Sequence, residues 1–588
     1  MNLADLQILT LDCQTTGANP DKGHLLEIGW VKTSAEAAVQ LHTLNPQSYF
    51  VRLPPDIDIP LAVERVTGLS KKSLEKTLPA SVIWKKISAA AGEIRTAADL
   101  QRCPTVIHYA RFEKPFLKQL HAESNSKGDF PLRIVCSHEI ALRLLPGLPR
   151  KGLRAVAGFF GHSVPKLRRA AGHAAATAVI WQHLVQQLIT EHGVRNLEQL
   201  IEWLKRTPVQ GGTQRVYPMK PEVRRNLPDT PGVYRMRRSN GDLLYIGKAT
   251  SLKQRVNSYF HRKGIRAEHT LEMISQAADL DVTPTGSALE AAVLESDEIK
   301  RFAPPYNVAL QKGERKLVFG SRDLQRWTAQ SGSTHCIGPL PAGNLPAAIT
   351  AFGIWMADCR SETGGTIQAI GNTILGLPDA CAAPTDCLVE GLGFFRDNHQ
   401  LWLKPSSPLR SLLGLGGKLW RQRLAALEKA RSEPREEEIE EASADDIPGS
   451  EEGPTWTPEA VARGIERFAM HSALMIRRAR WLCLLSESTL AWDMRDSSGR
   501  ARNVLLLKNG DVFRLEQLPI SVETPAPPGH AIRMPQRQKN FDVTTYERLR
   551  VATTELRRLL TEGRNLEIRL KPTATLSRKQ LATLLPWV

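Results

Sequence analysis

Two short segments decide the fold of the central part of this chain: PGVY at 231–234 and LYIGK at 244–248. Each is a brief apolar run that holds a tyrosine close to a glycine, and a turn separates them, so the pair predicts two adjacent strands. A basic helix, SLKQRV at 251–256, is predicted directly after the second strand. This local unit brings phenol, ammonium and guanidinium groups to one surface.

These side chains are of the types that hydrolysis of a phosphodiester requires. The reaction needs a base for the attacking water, a cation for the charge that develops at phosphorus, and stabilisation of the leaving oxygen. Tyr245 is a candidate base because the ammonium of Lys248 would favour its phenolate, and Arg255 would bind phosphate oxygens. Glu295 is a suitable ligand for Mg²⁺, which keeps several waters and takes one or two carboxylates.

The ordered set resembles the GIY-YIG nuclease domain of the UvrC and Cho excision-repair endonucleases. Residues 232–234 match its first motif, residues 245–247 match its second, and similar blocks continue to Asn307. The resemblance implies Tyr245 as general base with Lys248 beside it, Arg255 on the phosphate, and Glu295 on a single Mg²⁺ or Mn²⁺. It also implies supporting roles for three residues: Tyr234, Tyr259 and Asn307. The alternative is a basic strand–helix module whose tyrosines are merely half-buried.

The N-terminal segment LDCQTTG at 11–17 carries a second pattern, in which Asp12 is followed by Gln14. It resembles the first motif of DEDDh exonucleases of the DNA polymerase III epsilon type, where a glutamate stands in the place of this glutamine. Three later positions also differ from the family pattern. Glu113 replaces a metal-binding aspartate, Arg168 replaces the general-base histidine, and His173 replaces the last aspartate. The resemblance implies an RNase H-like α/β fold.

This exonuclease-like site has lost the charges that its chemistry needs. Two-metal hydrolysis requires several clustered carboxylates, whereas Arg168 would repel a metal and cannot release its proton to serve as a base. We therefore predict that the domain is catalytically inactive. The alternative is a transition-metal site that combines His108 and His173 with Asp12 and Glu113.

Length and composition predict an α/β multidomain protein. The 588 residues allow three or four domains of ordinary size. The predicted division is an exonuclease-like domain at 1–190, a linker at 191–226, a small α+β GIY-YIG domain at 227–312, a Cho-like mixed region at 313–431, an acidic disordered linker at 432–455, and a basic α+β region at 456–588.

Charge and hydropathy limit the classes of partner. The net charge of +17 and the sequence pI of about 9.6 favour a polyanion. No apolar run is long enough to span a bilayer, and the N-terminus does not read as a signal peptide. We expect a cytoplasmic protein that binds DNA and no membrane. The resemblance adds the damage-recognition ATPase and loading proteins of excision repair as partners.

Four cysteines follow the GIY-YIG segment, in about the place where UvrC-like proteins carry an iron–sulfur motif: Cys336, Cys359, Cys381 and Cys387. Their spacing is much wider than the clustered pattern of that family. We therefore favour unliganded thiols, with an iron–sulfur cluster as the alternative.

The patterns together predict a DNA repair endonuclease that makes a metal-dependent incision next to damage in nucleotide excision repair. The second nuclease of full UvrC finds no match, so we expect one incision per engagement. Two alternatives stay open: a 3′–5′ DNA exonuclease of the epsilon type, and a DNA-binding repair scaffold that does not cut. Gln14, Arg168 and His173 count against the first, and the complete GIY-YIG set counts against the second.

Overall fold

The structure, a computed structural model, divides into two compact units, Met1–Ala291 with Glu298–Gln311 and Ala292–Asp297 with Lys312–Val588. In the helices that it describes, no segment is both long and apolar enough to cross a bilayer. The described residues are 1–36, 44–55, 57–60, 63–64, 67–70, 74, 76–124, 128–162, 169–209, 215–261, 267–307, 316–357, 364–377, 383–432, 456–496, 499–508, 511–521, 523, 541–571 and 574–585.

A six-stranded mixed sheet organises the N-terminal part of the first unit. Its order is β4-β3-β2-β1-β5-β6. Strand β2 is antiparallel to β1 and to β3, whereas β1–β5, β5–β6 and β3–β4 are parallel. The strands are β1 (Ile8–Thr15), β2 (Leu25–Thr33), β3 (Gln47–Val51), β4 (Thr77–Leu78), β5 (Cys103–Ile107) and β6 (Leu132–Cys136).

Helices cover both faces of this sheet. Alternate residues of the central strand β1 point to opposite sides, so each face carries apolar side chains that pack against helices. Ile8 packs in one apolar cluster with Trp181, and Leu9 packs in another with Trp84. This α/β arrangement confirms the predicted fold class. The helices are α1 (Ala80–Ala97), α2 (Ala110–Glu123), α3 (Ser137–Leu144), α4 (Leu153–Phe159), α5 (Ala170–His192) and α6 (Leu197–Arg206).

A three-stranded antiparallel sheet of order β8-β7-β9 forms the rest of the first unit. The predicted hairpin and basic helix are present, and Ser251 caps the helix by accepting a hydrogen bond from the N–H of Gln254 at 3.1 Å. The elements are α7 (Pro221–Arg225), β7 (Gly232–Arg237), β8 (Leu243–Ala249), α8 (Leu252–Ser258), α9 (Glu268–Ile274), β9 (Asp279–Pro284) and α10 (Ala288–Phe302), of which residues Ala292–Asp297 belong to the second unit.

The second unit begins with a small antiparallel sheet of order β11-β10-β12 and continues as a helical layer. Its core contains Phe352, Phe395 and Phe468. The elements are β10 (Leu317–Ser321), β11 (Trp327–Thr328), β12 (His335–Pro341), α11 (Asn344–Ala357), α12 (Gly364–Leu375), α13 (Thr385–His399), α14 (Pro408–Ser432) and α15 (Pro458–Leu485).

A five-stranded antiparallel sheet of order β15-β14-β13-β16-β17 closes the second unit. The indole of Trp481 donates a hydrogen bond to Thr553 at 3.0 Å and so joins two helices. The elements are β13 (Thr489–Asp496), β14 (Gly499–Lys508), β15 (Asp511–Pro519), α16 (Val543–Thr561), β16 (Leu566–Lys571), β17 (Ala574–Leu576) and α17 (Arg578–Leu584).

The predicted domain boundaries at 190, 226, 312, 431 and 455 stay predictions. The described elements after residue 456 are helices and strands. Of the predicted acidic linker at 432–455, residues 433–455 lie outside the described residues.

Candidate active site

The pairing of β7 with β8 sets Tyr234 opposite Gly247 and Met236 opposite Tyr245. A Cβ atom at residue 247 would lie 2.4 Å from the Tyr234 hydroxyl and 2.7 Å from Cε1 of Tyr245. Only glycine therefore fits between the two tyrosines. At Gly232 a Cβ atom would lie 2.5 Å from the carbonyl oxygen of Thr283. Both glycines are thus explained by close approach of neighbouring groups.

Three phenol rings form a cluster at this point, which we call the tyrosine cluster: Tyr234, Tyr245 and Tyr259. The ring centroids are 6.0 Å apart for Tyr234–Tyr245, 6.1 Å for Tyr234–Tyr259 and 6.5 Å for Tyr245–Tyr259. The hydroxyls of Tyr234 and Tyr259 share a hydrogen bond of 2.8 Å.

The three phenols differ in their access to water. Tyr234 and Tyr259 are buried, whereas Tyr245 is half-buried. Burial, together with the neighbouring phenols of Tyr259 and Tyr245, raises the pKa of Tyr234 well above its ordinary value. Tyr234 therefore stays neutral at any physiological pH. Of the three, Tyr245 is the phenol that a solvent molecule reaches most readily.

Arg255 supplies a cation at the edge of the tyrosine cluster. Helix α8 begins at Leu252, three residues after β8 ends, so Arg255 lies in its second turn. The side chain is exposed, and its guanidinium carbon lies 5.4 Å from the centroid of the Tyr259 ring. The guanidinium also forms a hydrogen bond with Tyr234, and its remaining N–H groups are of the type that binds anionic oxygens.

Asn307 is buried and fixes the outer edge of β8. Its side-chain oxygen accepts a hydrogen bond from the N–H of Ile246 at 2.9 Å, and its amide nitrogen donates one to the Ile246 carbonyl at 2.8 Å. The side-chain amide thus makes the two hydrogen bonds that a neighbouring strand would make, at the residue next to Tyr245. The sequence predicts Asn307 as a supporting residue of the active site, and that role stays a prediction.

Two further predicted residues are half-buried, Lys248 on β8 and Glu295 on α10. One turn after Glu295, Glu298 forms a forked ion pair with Arg235 of β7, with Nε to Oε2 at 2.6 Å. This pair joins α10 to the hairpin, and sequence reasoning missed it. The signal was an arginine directly after the first motif and a glutamate three residues beyond the proposed metal ligand.

The exonuclease-like site is centred on Asp12, the retained aspartate of its first motif. Gln14 donates a hydrogen bond from its amide to one oxygen of Asp12 at 2.8 Å, and Nδ1 of His173 lies 3.0 Å from the other oxygen. Two of the substituted residues thus engage the retained aspartate. Arg168 lies outside the described residues. Oxygens that are hydrogen-bonded within the protein are less available to a metal ion.

Glu113, the other retained carboxyl, is buried, and its Oε2 atom has no hydrogen-bond partner among the described residues. Burial and the neighbouring Asp12 raise the pKa of Glu113 well above its ordinary value. A carboxyl that prefers its proton is a poor metal ligand. Asp12, Gln14, Glu113 and His173 all line one cavity of about 400 Å³.

His108 does not form the transition-metal site that the sequence left open. One ring nitrogen lies 3.0 Å from the Ser137 hydroxyl and the other lies 3.0 Å from the Lys151 carbonyl. Burial lowers the pKa of His108 to about 3. Within the described ranges, no group of three or more His, Cys, Asp or Glu residues is arranged to hold a metal ion. A site with a single carboxylate and water ligands, as Mg²⁺ accepts, requires no such group.

Of the four cysteines considered for a cluster, Cys336 and Cys387 are half-buried free thiols. The Cys387 sulfur lies 3.5 Å from the carbonyl oxygen of Trp456. Cys359 and Cys381 lie outside the described residues. The iron–sulfur alternative stays a prediction.

Comparison with known proteins matches residues 230–308 to the UvrC-like GIY-YIG domain. The UvrABC system protein C of Psychrobacter sp. (strain PRwf-1) is 48% identical over 128 residues, which cover 20% of this chain and 21% of that protein. A putative bifunctional exonuclease/endonuclease protein of Mycobacterium tuberculosis is 27% identical over 319 residues, 52% of this chain and 45% of that protein. The chain therefore spans less than half the length of these curated relatives.

Among solved structures, the magnesium-bound GIY-YIG N-terminal endonuclease domain of UvrC from Thermotoga maritima is 33% identical. The match covers 15% of this chain and 100% of that domain, with a TM-score of 0.14. The match at 230–308 falls on the tyrosine cluster and its framework, as the sequence predicted. The chain thus joins an exonuclease-like domain to a UvrC-like GIY-YIG domain.

Proposed function

We propose that this chain is a DNA endonuclease that makes a metal-dependent incision next to damage in nucleotide excision repair. The observation that carries the proposal is the tyrosine cluster: two phenols are buried, a third is half-buried, and the exposed Arg255 lies at its edge. The UvrC-like match over the same residues supports it. The UvrABC name of the matched relatives supports the repair context.

In the proposed reaction, Tyr245 accepts a proton from the attacking water and Arg255 binds the oxygens of the scissile phosphate. Lys248, on the same strand, is the proposed cation that would assist Tyr245. Glu295 would hold Mg²⁺ or Mn²⁺, which would neutralise charge on the phosphate and on the leaving oxygen. Asn307 holds the backbone of β8 next to Tyr245 through its two bonds to Ile246.

The exonuclease-like domain is catalytically inactive in this proposal. Asp12 is hydrogen-bonded by Gln14 and lies beside His173, and Glu113 favours its protonated form. A pair of divalent metals would need both carboxyls to be charged and free. The rival proposal, an active 3′–5′ exonuclease, has the name of the bifunctional relative in its favour.

DNA is the proposed substrate, since a net charge of +17 favours a polyanionic ligand. The damage-recognition ATPase and loading proteins of excision repair are the proposed partners. Their effect is measurable as an increase in incision when they are added to the same duplex.

The test is an incision assay with the purified chain, Mg²⁺ and a lesion-containing duplex labelled on one strand. Tyr245→Phe should slow nicking by about 10²- to 10⁴-fold, the usual contribution of a general base. Tyr217→Phe is the matched control, because the Tyr217 hydroxyl is buried and has no hydrogen-bond partner among the described residues. Glu295→Gln should abolish the response to Mg²⁺, with the exposed Glu191→Gln as its control.

A parallel assay on a plain duplex with a labelled 3′ end separates the three proposals. Shortening from that end that persists in Tyr245→Phe would establish the exonuclease instead. Tight binding with no cutting of either substrate, at any Mg²⁺ or Mn²⁺ concentration, would establish the scaffold. Internal nicks that are lost in both site variants and kept in both controls support the endonuclease.

A further inference from the structure

Helix α4 of the exonuclease-like domain lies against the segment that follows α9 in the GIY-YIG domain. At Gly158 of α4, a Cβ atom would lie 2.0 Å from Oε1 of Gln276 and 2.4 Å from its Cδ. Nearby, the N–H of Arg150 donates a hydrogen bond to the buried hydroxyl of Ser275 at 3.0 Å. The two domains therefore touch without room for a methyl group.

Gln276 is fully engaged at this contact. Its side-chain oxygen accepts hydrogen bonds from Nε and Nη2 of Arg238, both at 3.1 Å. Its amide nitrogen donates to the Tyr306 hydroxyl at 2.5 Å and to the Glu272 carbonyl at 3.1 Å. The side chain is 1% exposed. A buried amide with all of its bonds made has one favoured position, so its neighbours are fixed with it.

The exonuclease-like domain also reaches the partners of Gln276 through Arg154 of α4. Its guanidinium lies 3.3 Å from Oε1 of Glu272 and 5.1 Å from the centroid of the Tyr306 ring. The Tyr306 hydroxyl donates to that same Glu272 oxygen at 2.5 Å. We call these five side chains the Gln276 cluster: Arg154, Arg238, Glu272, Gln276 and Tyr306.

Tyr306 connects the Gln276 cluster to the catalytic strand. Its phenol is held in the cluster, while its backbone N–H donates to the Leu244 carbonyl at 3.1 Å. The next residue, Asn307, binds both backbone groups of Ile246. Residues 306 and 307 thus hold β8 on either side of Tyr245. A displacement of the Tyr306 phenol would be transmitted to the strand through these three bonds.

We propose that the exonuclease-like domain positions the GIY-YIG active site: Gly158 and Arg154 of α4 hold the Gln276 cluster, and the cluster fixes the strand that carries Tyr245. This inference rests on the proposed function of that site. In this proposal the exonuclease-like domain contributes to catalysis by positioning the GIY-YIG site, without catalysing a reaction itself. Gly158, Arg154 and Tyr306 are positioning residues and do not touch the substrate.

The test is Gly158→Ala, which forces a methyl group against Gln276, compared with Gly92→Ala. Gly92 lies in α1 of the same domain with no atom within 4 Å of its Cβ position. Gly158→Ala should lower kcat for nicking by about 10- to 100-fold, because a misplacement of about 1 Å costs that much. Its Kd for DNA and its half-saturating Mg²⁺ concentration should stay within about twofold of wild type. Gly92→Ala should match wild type throughout.

Tyr306→Phe tests the same path if Gly158→Ala does not fold, and Tyr217→Phe is its control. Hydrogen exchange at the amides of 245–247 provides a readout that does not depend on activity. It should accelerate in Gly158→Ala and Tyr306→Phe but not in their controls. Normal kcat and normal exchange in both variants, or a loss confined to DNA affinity, would overturn the inference. An inactive wild type would refute the proposed function, and the exchange data would still decide the positioning role.

Discussion

Replacement of Asn307 by alanine removes two hydrogen bonds from the outer edge of β8. Both bonds go to the backbone of Ile246, which is fully buried. A buried backbone group that loses its partner costs about 1–3 kcal/mol, so the two together cost about 2–6 kcal/mol. Because each 1.4 kcal/mol is a factor of ten, local opening at Ile246 should become at least about 30 times more frequent.

Native-state hydrogen exchange of the Ile246 amide measures this opening directly. Asn307→Asp should be no less damaging, because it sets a carboxylate oxygen against the Ile246 carbonyl. The control is Asn240→Ala, since Asn240 is an exposed turn residue that bonds to Asp242. It should change exchange at Ile246 by less than about threefold. Equal exchange in Asn307→Ala and wild type would refute the role assigned to the side chain.

Two further predictions concern the packing of the two sites. Gly247→Ala should destabilise the hairpin by about 1–3 kcal/mol through overpacking against Tyr234, and the rate of nicking should fall as well. Gly92→Ala should leave nicking unchanged and should stabilise its helix by about 0.5–1 kcal/mol, because alanine favours a helix interior more than glycine does. For Glu113, burial raises the folded-state pKa, so its contribution to stability is complete below the unfolded-state pKa of about 4.3 and is lost as pH rises through the folded value. Glu113→Gln should therefore raise the melting temperature at pH 7 more than at pH 4, and an equal shift at both pH values would contradict the raised pKa.

Several features of the site were predictable because they depend on local sequence. The glycine–tyrosine pattern at 232–234 and 245–247 indicated a hairpin, and the structure pairs these segments in β7 and β8. The cap at Ser251 and the helix after it also follow from neighbouring residues. The burial of each tyrosine could not be predicted from local sequence, because nothing in the sequence distinguishes the buried Tyr234 from the half-buried Tyr245.

In the exonuclease-like domain, the sequence identified the substitutions but not their contacts. Gln14 and His173 are 159 residues apart, and their approach to opposite oxygens of Asp12 depends on how α5 crosses the sheet. The unpartnered oxygen of Glu113 is likewise a property of packing. Such contacts have no local signature, because they form between elements that meet only in the folded chain.

The sequence alone determined the two nuclease-like patterns, their order, and the loss of carboxylates from the first, since residue type fixes charge and hydrogen-bonding capacity. The tertiary structure alone decided which phenol is accessible, how Asn307 completes the edge of β8, and how Gly158 meets Gln276. These depend on distances between residues that are far apart in the chain. Burial and close approach are set by packing, and packing is a property of the whole fold.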